Sequence, residues 1–262
     1  MNKVIRKIQA FLSVYYANLL EYRAEQFLWI LSGTFPLIMM GVWIRASQGG
    51  QFALEPTDFA RYFICVFIIS ELTVVWVIWN FERDVVQGRL SPRLLQPIDP
   101  VWHPIAEHVS ERFARLPLIL LLVSLFFLLY PQAFWLPSFG RVLLFVLVSV
   151  IAFILRFLIQ YTLAMFAFWT ERAAALEQFW FLFYSFLSGM IAPLEVFPPV
   201  VREIALWTPF PYLVDFPASV LMGLPVALGR SMLVMLGWTG LFFLWNRWLW
   251  RRGLKQYSGM GA

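Results

Sequence analysis

Charge is scarce in this sequence. Only 13% of its 262 residues are Asp, Glu, Lys or Arg, and two are His; soluble domains hold about 25% charged residues, so an ordinary water-covered surface is excluded. Cysteine is rarer still. Cys65 stands alone in an apolar run, which rules out an intramolecular disulfide, leaves the redox compartment unread and marks the thiol as packing. There is no G-x-x-x-x-G-K-[ST] phosphate loop and no G-x-S-x-G elbow, so the chain alone does not hydrolyse ATP by the phosphate-loop route. No apolar core with a small-residue cleavage site follows Lys3, Arg6 and Lys7. A removable signal peptide is therefore not expected, and the first span serves as its own insertion signal.

Hydrocarbon fills the remaining space. The residues are 61% hydrophobic with a mean hydropathy of +0.74, far above the roughly 45–50% apolar content of soluble domains. The chain is a membrane protein by composition. Its 13 Trp and 27 Phe suit interfacial belts and lipid-facing surfaces. The basic pI of about 9.6 comes from Lys and Arg flanking apolar runs, which act as topology signals, so no nucleic-acid partner is expected.

Six stretches are long enough to cross a hydrocarbon layer of roughly 30 Å, which takes about 20 helical residues: Phe27 to Ile44, Phe59 to Asn80, Leu116 to Trp135, Val142 to Trp169, Phe179 to Phe197, and Ser231 to Trp250. They lack the period-two alternation of barrel strands, so an all-α integral membrane fold in one domain (1–262) is expected. With the N-terminus in the cytosol, fourteen of the 20 Lys and Arg residues fall in cytosolic segments, among them Arg83, Arg89, Arg93, Arg112 and Arg115, and five fall outside. The positive-inside bias then places both termini in the cytosol. Before the first span, Val4, Ile5, Ile8, Phe11, Leu12, Tyr15, Leu19 and Tyr22 recur at helical spacing, predicting an interfacial amphipathic helix over 1–25 that anchors the chain or also touches a cytosolic partner.

The connection over 81–112 is the long polar segment. Gly88 is a helix stop, Ser91 and Pro92 read as an N-cap with proline at the first helical position, and Pro97 forbids continuation, so a short helix from Pro92 to Gln96 is expected. Leu94 and Leu95 give it an apolar face that either enters a groove on another protein or folds back on the bilayer. The stretch Pro193 to Gly223, within an extracytoplasmic region over 193–229, is broken by prolines yet rich in Val, Leu, Phe and Trp. Short non-spanning helices that dip into the outer leaflet would bury those groups.

Ionisable residues inside spans are costly unless paired or hydrated. Glu71 and Arg156 reach similar depths, roughly 18–23 Å at ~1.5 Å per residue, so a buried Glu71–Arg156 salt bridge is expected, or else one or both face a polar cavity. Ser185 and Gly189 form a small-xxx-small step suited to close helix approach. Around it, Phe179, Trp180, Phe181, Phe183, Tyr184 and Phe186 face either a lipid-like substrate or ordinary lipid. His103 and His108 lie five apart in HPIAEH beside Glu107 and Glu111. That spacing is poor for joint metal ligation, so no metal site is expected there, and capping and a charged membrane edge account for the group.

The pattern GRLSPRLLQPID, with Gly88, Leu90, Leu94, Leu95, Pro97 and Asp99, resembles the cytosolic coupling segment of the permease subunits of type-two ATP-binding-cassette exporters, in particular a six-span ABC-two subfamily. The resemblance implies that Gly88, Leu90, Ser91, Leu94, Leu95, Pro97 and Asp99 couple to a cytosolic ATPase dimer. ATP and Mg would then belong to that partner, with no cofactor in this chain. It also implies a second six-span permease, identical or related, in the cytoplasmic (inner) membrane among its lipids. In such proteins a re-entrant hairpin follows the fifth span, and Phe197, Pro198, Pro209, Tyr212, Pro217 and Gly223 fall at matching places. Phe183, Ser185, Gly189, Phe197, Pro198 and Tyr212 would then border the path or a subunit interface. Export of an amphipathic lipid, glycolipid, polysaccharide or drug follows from the resemblance. Two other readings stay open: a lipid-modifying enzyme using His103 or His108, and an ion-coupled transporter using Glu71 and Arg156.

Overall fold

The computed structural model describes residues 9, 12–17, 21, 23–50, 52 and 54–257. Among them the chain is helical with no strand: α1 (Arg23–Ser32), α2 (Phe35–Ser47), α3 (Pro56–Thr73), α4 (Val77–Val86), α5 (Leu90–Leu94), α6 (Trp102–Leu129), α7 (Phe139–Ala164), α8 (Ala175–Leu187), α9 (Pro199–Leu206), α10 (Asp215–Met222) and α11 (Leu228–Gln256). Five stretches are long and apolar enough to cross a bilayer: Phe27–Ser47, Pro56–Val86, Trp102–Leu129, Phe139–Phe168 and Leu228–Gln256. Of the expected N-terminal interfacial helix, Leu12 and Tyr15 belong to a helical piece over 12–17. Val4, Ile5, Ile8, Phe11, Leu19 and Tyr22 lie outside the described residues.

The sequence signals that start these helices are local. Pro56 occupies the first turn of α3, where its missing N–H needs no partner, and Glu55 and Asp58 close a capping box around it. α3 is the centre of the bundle. Phe59, Tyr62, Phe63, Ile64, Val66 and Phe67 are fully buried, with α2 against one side and α10 against another.

Two core clusters give the strand-free bundle its direction. Phe145, Val148 and Leu155 of α7 share the first with Met235 of α11; Phe157, Tyr161 and Phe168 share the second with Leu249 and Trp250. α7 and α11 therefore run parallel. Between them α8 runs back, because Glu177 meets Gln160 at 2.8 Å while Tyr184, two turns later, meets Arg156, one turn earlier in α7.

The expected span from Phe179 to Phe197 is shorter than that. α8 has 13 residues, about 20 Å of helix, and ends at Leu187. Gly189 follows with φ +91° and Pro193 comes next, both incompatible with a continuing right-handed helix. The small-xxx-small step is thereby corrected: Gly189 is past the helix end, so Ser185 and Gly189 do not share a helical face. Gly189 is instead a turn where any Cβ would fall 2.4 Å from the Tyr62 hydroxyl and 2.7 Å from Asp215 Cβ.

Beyond Pro193 the chain makes only short pieces. α9 exposes Val200, Val201 and Ile204. α10, by contrast, is buried from Phe216 to Leu221 between α3 and α7, and Gly223 closes it with φ +81°, the left-handed cap that glycine adopts without strain.

Candidate functional site

The span Pro56–Val86 is interrupted. α3 stops at Thr73, α4 starts at Val77, and Val74 is extended with ψ 140°. Such a break frees backbone groups that hydrocarbon cannot satisfy, and α6 satisfies them from one face. Arg112 Nε donates to the Leu72 carbonyl at 2.9 Å and its Nη2 donates to the Val74 carbonyl. The Trp76 N–H donates to His108 Nε2 at 2.9 Å. Trp76 Nε1 donates to the Glu111 carboxylate at 3.0 and 3.1 Å.

Arg115, 2% exposed, completes the layer by pairing with Glu111 at 2.6 Å and Glu71 at 2.9 Å. Residues 108, 111, 112 and 115 fall at i, i+3, i+4 and i+7, the spacing of one helical stripe. α6 is thus a splint across the break.

This geometry corrects two expectations. Glu71 does not pair with Arg156; Arg115, which by sequence looked like a cytosolic topology residue, reaches it instead, because α6 begins at Trp102 and carries Arg115 into the bundle. The HPIAEH group is not a charged membrane edge either. His108 is fully buried and its Nε2 lone pair is used by Trp76, so its proton sits on Nδ1, which donates to the Pro104 carbonyl at 2.7 Å. An imidazole so committed has no nitrogen left for a metal or for proton transfer. His103 takes a different course, bonding Tyr15 and Gln96, each at 2.9 Å. Among the described residues no three His, Cys, Asp or Glu converge as metal ligands.

Arg156 turns elsewhere. Its Nη1 donates to the Tyr184 hydroxyl at 3.1 Å and lies 3.4 Å from Thr73 Oγ1. The guanidinium stands 4.6 Å over the Tyr184 ring.

At the far end of α4, Gly88 turns the chain with φ +71° into α5. The helix starts at Leu90, two residues before the expected Pro92, so Ser91 is not its N-cap; Ser91 Oγ is 3.0 Å from the Tyr257 hydroxyl of the segment after α11. Pro92 still lies in the first turn, where it costs no hydrogen bond. Three further ties hold the segment. Arg93 pairs with Asp84 at 2.5 Å, Arg247 of α11 reaches Asp99 at 3.3 Å, and Asp99 Oδ1 accepts the Val101 N–H ahead of α6. Leu90 is buried beneath α5, whereas Leu94 is 37% and Leu95 89% exposed; Pro97 is exposed on the same connection.

The opposite end carries a second knot. Tyr62 OH, Gly189 O, Asp215 Oδ1 and the Leu194 N–H meet within hydrogen-bond distance, and burial pushes the Asp215 carboxyl up to about 6. Of the other residues expected to border a path, Phe183 is exposed and stacks near Phe210, Pro198 precedes α9, and Tyr212 is buried with its hydroxyl donating to the Leu206 carbonyl at 2.6 Å. Phe197 is half-buried.

Residues 56–261 match the family described as ABC-2 family transporter protein. The chain belongs to that family. No curated protein matches it. As an ABC-2 family protein it is a multi-pass component of a membrane transporter, and the family implies an ABC ATPase as partner. The match takes in the broken span, the exposed leucines and the buried knot, and starts after α1 and α2.

Proposed function

We propose that this chain is the permease subunit of an ABC exporter, in which ATP binding and hydrolysis on separate cytosolic subunits drive an amphipathic substrate across the membrane. The observation that carries the reading is the α5 segment: two neighbouring leucines project at the end of a short helix that Asp84–Arg93 ties to α4, and the connection after it is tied to α11 by Asp99–Arg247. An apolar knob on a braced base suits insertion into a groove on a partner protein and the transfer of force from it.

Six crossings with both termini in the cytosol fit the parallel course of α7 and α11. Two parallel spans need a return between them, and α8 supplies it in the antiparallel direction. On this reading α9 and α10 form the re-entrant hairpin over 193–229, with buried α10 as its inserted arm. A single bundle of this size offers little enclosed path, so two permease subunits, identical or related, assemble around one in the cytoplasmic membrane.

The test is co-purification of the tagged full chain in mild detergent with its ATPase. Leu95→Glu should abolish association while leaving the chain folded. Undiminished association would refute the role given to α5.

A further inference from the structure

A cavity of about 540 Å³ opens between α1, α2 and α8, lined by Trp29, Pro36, Phe181 and Tyr184 and by Val74 and Trp76 of the break. Its size and aromatic lining are those of a ligand site rather than a packing flaw. Arg156 and Ser70 line it, and among the described residues Arg156 Nε and Ser70 Oγ have no hydrogen-bond partner. Arg156 as a residue is 7% exposed. No carboxylate lies within 4 Å of its guanidinium among the described residues, since Glu71 is held by Arg115 and Glu177 by Gln160.

A guanidinium buried in an apolar chamber with a free N–H is a costly arrangement. It is relieved by an oxyanion that accepts from the N–H groups the fork has left.

We propose that this cavity binds an anionic amphiphile, its phosphate or carboxylate head on Arg156 and Ser70 and its acyl chain against Trp29 and Phe181. The inference deepens the permease reading, on which its meaning as a transported class rests, by giving the amphipathic substrate a negative head. The lining is largely apolar and aromatic, and Arg156 is its single charged residue. A neutral diacylglycerol would fill the walls and leave Arg156 unrelieved; inorganic phosphate would relieve Arg156 and leave the walls empty.

The experiment is equilibrium binding to the purified full chain in detergent, with radiolabelled dioleoyl phosphatidic acid competed by oleate, dioleoylglycerol and inorganic phosphate. Saturable binding is expected, displaced by oleate and at least tenfold less well by dioleoylglycerol or phosphate. Arg156→Gln should weaken binding at least tenfold, and Arg156→Lys should restore most of it. Ser32 lines the same cavity and is exposed, so Ser32→Trp narrows it without touching the guanidinium and should also weaken binding. Displacement by phosphate as strong as by oleate would make this a free-anion site and overturn the proposal. So would equal competition by dioleoylglycerol, or unchanged binding in folded Arg156→Gln and Ser32→Trp. The ATPase is absent from the assay, so failure of the cavity proposal is distinct from failure of partner docking, and Leu95→Glu should bind phosphatidic acid as the wild type does.

Discussion

The Tyr62 hydroxyl lies 2.8 Å from Asp215 Oδ1 and 2.9 Å from the Gly189 carbonyl. A phenol has one proton, so it cannot donate to both acceptors at once. The conflict vanishes when Asp215 is protonated: the carboxylic acid donates to Tyr62, and Tyr62 donates to Gly189. Burial, which raises the Asp215 carboxyl from 3.8 to about 6, favours that same form.

Stability should therefore depend on pH with a definite sign. Because the folded-state value is raised, the stabilisation from neutral Asp215 is complete below about 3.8 and is lost as pH rises through about 6. The loss is on the order of 2–3 kcal/mol. Thermal unfolding of the detergent-solubilised chain should show this slope between pH 4 and about 7, and Asp215→Asn, which stays neutral, should flatten it. An equal slope in the variant would refute the assignment.

Tyr62→Phe removes the shared hydroxyl and leaves the Gly189 carbonyl and Asp215 buried without it. A destabilisation of about 1–3 kcal/mol is expected. Limited proteolysis within 193–227 should accelerate in the variant if the knot holds that segment against α3.

Glu71 and Arg115 should show coupling that Glu71 and Arg156 do not. Removing one partner of a buried pair costs roughly 3–5 kcal/mol, so Glu71→Gln and Arg115→Gln should each lower thermal stability severely. A double-mutant cycle should return a coupling above about 1 kcal/mol for Glu71 with Arg115 and a smaller one for Glu71 with Arg156.

Leu90 and Leu95 sit five residues apart on opposite sides of the α5 segment, and their variants should fail differently. Leu90→Ala empties a buried site and should cost about 2–5 kcal/mol. Leu95→Glu changes a residue that is 89% exposed, so its stability should stay within about 0.5 kcal/mol while ATPase association is lost.

Much of the architecture was legible because it rests on local signals. Apolar runs marked the long helices, and Gly88 and Pro92 announced a turn and a short helix; Gly189 and Pro193, which end α8 early, were read as part of a span. The interruption at Val74–Trp76 was not legible: the residues around it, Leu72 to Ile78, are apolar apart from Thr73, with no Pro or Gly. Its orphaned carbonyls are rescued by Arg112 from a distant part of the chain, and such rescue leaves no mark in the segment itself. Arg115 was misassigned for the same reason. A basic residue near a span end reads as topology until the helix that carries it is known to begin thirteen residues earlier.

The interruption at Val74–Trp76 also gives the long span two arms with a fulcrum between them. One arm leads to the leucine knob and the other to the Tyr62 knot, and the fulcrum is clasped by side chains of α6 rather than by an unbroken ladder of backbone hydrogen bonds. A push on α5 would pass through Asp84–Arg93 into α4 and then reach the ion pairs on α6, whose strength sets how stiffly the two ends move as one.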